Sequence, residues 1–448
     1  MGKYPAYESY RDSGVEWLGD IPKHWQIGSF KRASERVVVG IAEAATYAYA
    51  DRGVPILRAT NIRENKIIGD ILYVEPEYSE GRESKLIKAN DLVTVRTGNA
   101  GVTALIPNEL DNCQCFTMLI STLIHSSDSK FYCYFLNSQS SQCYFSLEGW
   151  GTAQINISVP ILKELPVTLP PLEEQKAIAR FLDYKTKQID ALIAKKEVLL
   201  EKLDEKRTAL ISHAVTKGLD ATVPMKDSGI EWLGDIPEHW EVKRLKFVAD
   251  QIIDAEHKTA PYDSDGDYLV VRTANVRSGK LLFENAKYTD ESVYKKWTVR
   301  AIPEEGDILF TREAPPGEAC LVPKFPPICL GQRMVLFKFN QQKNNYFVLH
   351  SLYSGIANEF IQGLSMGSTV AHFNMSDIGS IPLFIPPYLE QKEIVEYLER
   401  KTAEIDAQKT KIKRASALLN EYRTALITNA VTGKIDVRQV SIPQPQSQ

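Results

Sequence analysis

The sequence predicts an α+β protein built as a tandem repeat: two mixed α/β domains separated by two long antiparallel coiled-coil helices, with pseudo-two-fold symmetry. Three observations predict it: conserved-looking blocks that occur twice in the same order, a long helical stripe closing each repeat, and strand-rich middles that diverge. Asp12 to Trp25 reads DSGVEWLGDIPKHW and Asp227 to Trp240 reads DSGIEWLGDIPEHW. PPLEEQKAIARFLDYKTKQIDAL from Pro170 matches PPYLEQKEIVEYLERKTAEIDAQ from Pro386, and EKRTALISHAVTKGLD (205–220) matches EYRTALITNAVTGKID (421–436). The offset is 215 residues in the first block and 216 in the others. A period this long excludes a solenoid and implies that each repeat folds as a domain with an appendage. The expected boundaries are a mixed domain over 1–168, a helical segment over 169–224, a second mixed domain over 225–385, a second helical segment over 386–440 and a disordered tail over 441–448.

The opening of each repeat carries a tryptophan pair, Trp17/Trp25 and Trp232/Trp240. Their presence in both repeats suits anchors that pack the entry segment on its domain better than stacking platforms for a ligand. The middles read as short β-branched runs bounded by turn residues: ILRATNI, DLVTV and TMLISTLI in the first repeat, YLVVRTANV, DILFTR and RMVLFKF in the second. KFYCYFLNSQSSQCYF (130–145) and NNYFVLHSLYSGIANEFI (344–361) follow them as helical stretches. Weak echoes pair LRATNIRENK (57–66) with VRTANVRSGK (271–280), NDLVTVRTGNAG (90–101) with GDILFTREAPPG (306–317), and GTAQINIS (151–158) with GSTVAHFNMS (367–376).

Segments 172–216 and 388–432 are helical by every local sign. Each follows a Pro-Pro pair, a suitable helix start. Glu173, Glu174 and Glu390 complement the helix dipole, and Gly218 and Gly433 stand where a helix stops. Seven-residue spacing joins Leu182, Ile189, Leu203 and Leu210, interrupted by Lys196, and joins Leu398, Ile405, Ile412, Leu419 and Leu426 without a break. Ile178, Leu192 and Leu199, and Ile394, Ala415 and Tyr422, are expected to complete a 3–4 stripe. A stripe of about 65 Å is too long for one small domain to cover, so the two helices most simply cover each other, antiparallel.

Bulk composition excludes several classes. An apolar fraction of 44% and a charged fraction of 25% belong to a globular chain, not a disordered or fibrous one. No apolar run approaches the roughly 18 residues of a membrane span, and the start MGKYPAYESYRDSG has no signal-peptide core. Cys113, Cys115, Cys133, Cys143, Cys320 and Cys329 lack metal-ligand spacing and read as reduced thiols of a cytoplasmic protein. No phosphate-binding loop, zinc-protease or nucleophile-elbow motif occurs, and Ile385-Pro386-Pro387-Tyr388 lacks the hydrogen-bonding first residue of an amino-methyltransferase motif. The expectation is a chain without catalytic residues, metal or cofactor.

Taken together, EWLGDIPxHW opening each half, Asn156-Ile157-Ser158 with Pro166 to Gln175, Asn374-Met375-Ser376 with Pro382 to Gln391, and helices ending in RTALI make the chain resemble the specificity subunit of type I restriction–modification systems over nearly its full length. The resemblance implies two target-recognition domains, each reading one half of a split site on double-stranded DNA, and two spacer helices. It implies as partners two adenine-methyltransferase subunits, which bind S-adenosylmethionine, and optionally two ATP-driven translocase–nuclease subunits. A non-reading scaffold and a single-chain methyltransferase–nuclease are the rival readings. The acidic balance is at odds with a uniformly basic binding surface: net charge is −4, with 16 basic against 19 acidic residues in 1–168 and 17 against 21 in 225–385. Either the basic residues cluster on one face of each domain, or a partner that helps enclose the duplex supplies much of the phosphate binding.

Base edges are read by Arg, Lys, Asn, Gln, Ser and Thr. The candidates for DNA contact in the first half are Arg58, Thr60, Asn61, Arg63, Lys66, Arg96, Thr97, Asn99, Thr152, Gln154 and Asn156. In the second they are Arg272, Thr273, Asn275, Arg277, Lys280, Arg312, Gln332, Arg333, Ser368, Thr369 and His372. Lys66 and Lys280 are expected on phosphates. The echoed residues Arg58/Arg272 and Asn61/Asn275 suit a structural or phosphate-binding role as well as base reading.

Overall fold

A computed structural model of the chain describes residues 4–42, 48–151, 155–230, 234–313, 315–339, 344–354, 360 and 373–443. It divides into two compact units: 1–196 with 414–448, and 197–413.

In the first unit, strands Thr103–Leu105, Leu92–Thr94, Leu119–Leu123 and Ser34–Val39 form an antiparallel sheet in that order. Both faces of this sheet are covered, and its buried polar residues Thr94 and Thr103 satisfy each other by a hydroxyl hydrogen bond at 2.8 Å. Leu92 and Leu119 enter a core with Phe131, Phe135 and Phe181, while Val93 and Ile120 point into another with Leu57, Ile62 and Ile106. A second sheet orders Gln114–Cys115, Val54–Leu57, Leu72–Val74 and Tyr49–Ala50, with the first pair parallel. Helices Ser129–Leu136 and Gln139–Glu148 break at Ser138, whose hydroxyl caps the second by accepting from the Ser141 N–H.

The second unit repeats this plan with different side chains. Gln251–Asp254, Met334–Lys338, Ile308–Thr311 and Ala319–Leu321 make the antiparallel sheet. Lys287–Thr289, Tyr268–Val271 and Ile328–Leu330 make the smaller one, again with one parallel pair. Ile308 and Phe310 face one core and Leu309 the other.

Entry and exit of each repeat are stitched alike. Gln26–Ser29 pairs with Pro166–Leu169, and Glu241–Arg244 with Pro382–Ile385, immediately before the long helices. Trp25 and Trp240 are fully buried anchors, and Trp17 packs half-buried against Tyr144; Trp232 lies outside the described residues.

The central helix spans Leu172–Lys217 and the C-terminal helix Tyr388–Val431. Gly218 and Gly433 end them with φ of 75° and 73°, a conformation that costs a side chain energy and glycine nothing. Their pairing is antiparallel within each unit: Ile178, Leu182 and Ile189 share a core with Leu426, Ile427 and Ala430, and Ile211 and Val215 share one with Ile394 and Leu398. The stripe differs from the expected one. Leu192, Leu199 and Tyr422 are 49%, 47% and 42% exposed, while Ile193, Leu200 and Arg423 are half-buried in their place, as is Arg207 one heptad beyond Leu200. The stripe therefore runs 189, 193, 196, 200, 203, 207, 210, 214, stepping four residues after each heptad position instead of three. Among the described residues no helix is long and apolar enough to cross a membrane.

Candidate nucleic-acid interface

Each unit carries the same tight turn after the strand that ends at Leu57 or Val271. In Arg58-Ala59-Thr60-Asn61 the Arg58 N–H donates to Asn61 Oδ1 at 3.0 Å, and Asn61 Nδ2 donates to the carbonyls of Ile68 (2.9 Å) and Asp70 (3.2 Å). In Arg272-Thr273-Ala274-Asn275 the Arg272 N–H donates to Asn275 Oδ1 at 3.1 Å and Asn275 Nδ2 to the Leu282 carbonyl at 3.1 Å. Both asparagines are buried, and a buried amide must be satisfied locally. Arg58 and Arg272 close the same loops from outside through Asp70 O (3.1 Å) and Asn285 O (2.6 Å). These four echoed residues are thus engaged in holding a turn.

A short hairpin follows, Ile62–Arg63 with Lys66–Ile67 in one unit and Val276–Arg277 with Lys280–Leu281 in the other. Arg63 is exposed and folds back on the carbonyls of Thr60 and Ile62, and Arg277 on those of Thr273 and Val276. Thr60 is exposed and Thr273 half-buried. The two lysines meet the long helices. Lys66 Nζ lies 2.6 Å from Asp190, and Lys280 Nζ lies 3.4 Å from Asp406. Asp190 also receives Arg423 Nε at 3.1 Å, whose Nη1 reaches Glu64 at 3.0 Å; Asp406 lies 4.0 Å from Arg207. Lysine, aspartate and arginine occupy matching positions in both repeats, so each hairpin is tied to a helix by the same three charges. Sequence inspection missed this set, although Asp190/Asp406 and Arg207/Arg423 stand 216 residues apart and were there to be found.

The remaining candidates lie on loops beyond the antiparallel sheets. In the first unit Thr97 and Asn99 are exposed and Arg96 half-buried. Thr97 bridges Asn156 by backbone pairing, and its hydroxyl hydrogen-bonds the Asn156 side chain. Arg96 O accepts from Ile157 N at 2.9 Å, bringing the 96–99 and 155–157 segments together. In the second unit Arg312 is buried, donating through Nε to Phe373 O (3.0 Å) and through Nη1 to Asp254 (2.6 Å). Gln332 and Arg333 are exposed beside it, Gln332 reaching His257 O at 3.5 Å and Arg333 pairing with Glu313 at 3.0 Å. Arg333 holds a φ of 72°, a strained conformation for a non-glycine residue and one that clusters at functional sites. Thr152, Gln154, Ser368, Thr369 and His372 lie outside the described residues.

Burial pushes the thiols of Cys113, Cys320 and Cys329 up to about 12, as for inert core cysteines. Among the described residues no group of three or more His, Cys, Asp or Glu is placed to hold a metal ion.

Residues 44–202 and 237–415 match the family described as the type I restriction modification DNA specificity domain. The chain is 25% identical over 437 residues to the MjaX protein of Methanocaldococcus jannaschii, named for the specificity subunit of a type I restriction enzyme; 94% of this chain and 96% of that one are covered. It is 24% identical over 437 residues to the EcoKI specificity subunit of Escherichia coli K12, covering 93% and 90%. A chain solved in work on complex assembly and conformational transition of the type I R-M system shares the fold, with a TM-score of 0.70, 16% identity and coverage of 93% and 99%.

Proposed function

The chain belongs to the type I restriction–modification DNA specificity family, and from that premise we propose that it reads a bipartite site on double-stranded DNA, one half-site per unit. It thereby directs adenine methylation and restriction performed by partner subunits. The observation that carries the proposal is a contrast inside the chain. Sheets, tryptophan anchors, Arg-x-x-Asn turns and hairpin-to-helix ion pairs are common to both units, while equivalent loops differ: Thr97 and Asn99 of the first unit stand where the second has Glu313 and Pro315, and Gln332 and Arg333 of the second follow its parallel strand where the first has Phe116 and Thr117. A shared frame with unlike exposed donors and acceptors suits two readers of different sequences, and a scaffold would have no use for the difference.

On this reading base contacts come from the exposed candidates, and Arg58, Asn61, Arg272, Asn275 and Arg312 hold the backbone that presents them. The partners are two adenine-methyltransferase subunits, which bind S-adenosylmethionine, and optionally two ATP-driven translocase–nuclease subunits; the chain itself is non-catalytic and cytoplasmic.

The acidic balance of both units predicts partner-dependent binding. Fluorescence anisotropy of the full chain on a duplex carrying the site mapped in host DNA should show weak, poorly discriminating binding at physiological salt. Adding the methyltransferase subunits should tighten binding and steepen its salt dependence, because each newly neutralised phosphate releases counterions. Tight, specific binding by the lone chain with a steep salt slope would contradict the charge argument.

A further inference from the structure

Trp150 departs from the behaviour of the other described tryptophans. They are buried or half-buried, whereas Trp150 is 58% exposed, and Leu147, one helical turn before it, is 64% exposed. The exposure is not that of a loose end. The helix Gln139–Glu148 stops at Gly149, whose N–H donates to Phe145 O at 3.0 Å. A Cβ on Gly149 would lie 2.4 Å from the Ile155 side chain and 2.5 Å from Phe145 O, so the backbone passes through a gap that only glycine fits. Trp150 then pairs with Asn156 through both backbone hydrogen bonds, 2.9 and 3.2 Å, and Asn156 in turn bridges Thr97. A well-positioned backbone thus presents a large exposed apolar ring on the segment that Asn156 joins to exposed Thr97.

We propose that Trp150 is a specificity-determining residue for the first half-site. Its indole takes the methyl group of a thymine in the DNA groove, near the polar contacts of Thr97, Asn99 and Asn156. This rests on the DNA-reading function proposed above. The chemistry fits: polar side chains take base-edge donors and acceptors but leave thymine methyl groups without a partner, and a rigid aromatic ring fills that place with little entropy to lose. The repeat pattern fits as well. Matching GTAQINIS at 151 with GSTVAHFNMS at 367 sets Met366 against Trp150, so the ring belongs to what distinguishes the repeats and not to their common frame.

The test uses the full chain with its methyltransferase subunits and three duplexes: the mapped site, the same with its first half scrambled, and the same with its second half scrambled. Wild type must discriminate against both scrambled duplexes; failure there removes the DNA-reading function itself, before Trp150 is in question. Given that, Trp150→Ala should lower discrimination in one half-site by about tenfold and leave the other intact, the intact half reporting that the variant is folded. Loss of both discriminations together, or of neither, overturns the proposal. Uracil in place of each thymine of the affected half removes the methyl groups: wild type should fall to the variant's level of discrimination, and a wild type left unchanged by uracil overturns the proposed contact.

Discussion

Glu174, in the first turn of the central helix, accepts the Trp25 indole N–H at 2.8 Å and lies 3.0 Å from His24 Nε2, with 5% of its side chain exposed. Arg438 approaches it at 3.3 Å and also covers the Tyr7 ring. The matching Glu390 accepts from Trp240 at 3.1 Å and meets His239 at 2.8 Å, but 26% of its side chain is exposed. Removing a buried acceptor strands its donor, whereas water rescues a donor it can reach. Glu174→Ala should therefore cost about 1–3 kcal/mol, and Glu390→Ala distinctly less. Urea unfolding of the full-length variants checks this, and equal costs would contradict it. The tryptophans were legible because they recur in both repeats. Their partners were not, since an acidic residue at a helix start already has a sufficient explanation in the dipole, and sequence gives no sign that an indole N–H points at it.

At the scale of elements, the long helices were the most legible part: a Pro-Pro start, an acidic first turn and a glycine stop bracket them to within one residue of the observed ends. Their buried face was read less well. Leu192 and Leu199 look like stripe residues by hydropathy, yet they face water while Arg207 takes a seam position. An arginine can do so because its methylene stem packs and its guanidinium reaches outward, here to Asp406; a count of apolar residues cannot register that. In the strand-rich middles, ILRATNI and VVRTANV read as strands, but each strand stops at Leu57 or Val271. The following Arg-x-x-Asn is bent by an asparagine amide that competes for backbone partners. The central helix continues without a break through residues 195–205, and four residues added there lengthen it by about 6 Å. If the helix acts as a ruler, methylation mapping should show the preferred gap between half-sites shifted by at least one base pair; an unchanged gap in an active complex would count against it.

For the whole molecule, the duplication made the architecture readable from sequence, because two copies of one unit act as an alignment: what recurs is frame, and what differs is a candidate for reading. The same logic reaches its limit at the candidate site. Asn61/Asn275 and Arg58/Arg272 recur, and they hydrogen-bond within their turns; Lys66 and Lys280 recur, and they meet helix aspartates. Polar residues of the right type are demanded by DNA and by a folded backbone alike, and only three-dimensional partners tell the two apart. The central claim, that each unit independently reads half of one DNA site, is tested most directly by long-read mapping of methylated adenines in cells whose chain carries residues 1–168 from a relative of different specificity. One half of the methylated motif should change, with the other half preserved. A motif that changes in both halves together, or in neither, would contradict the claim.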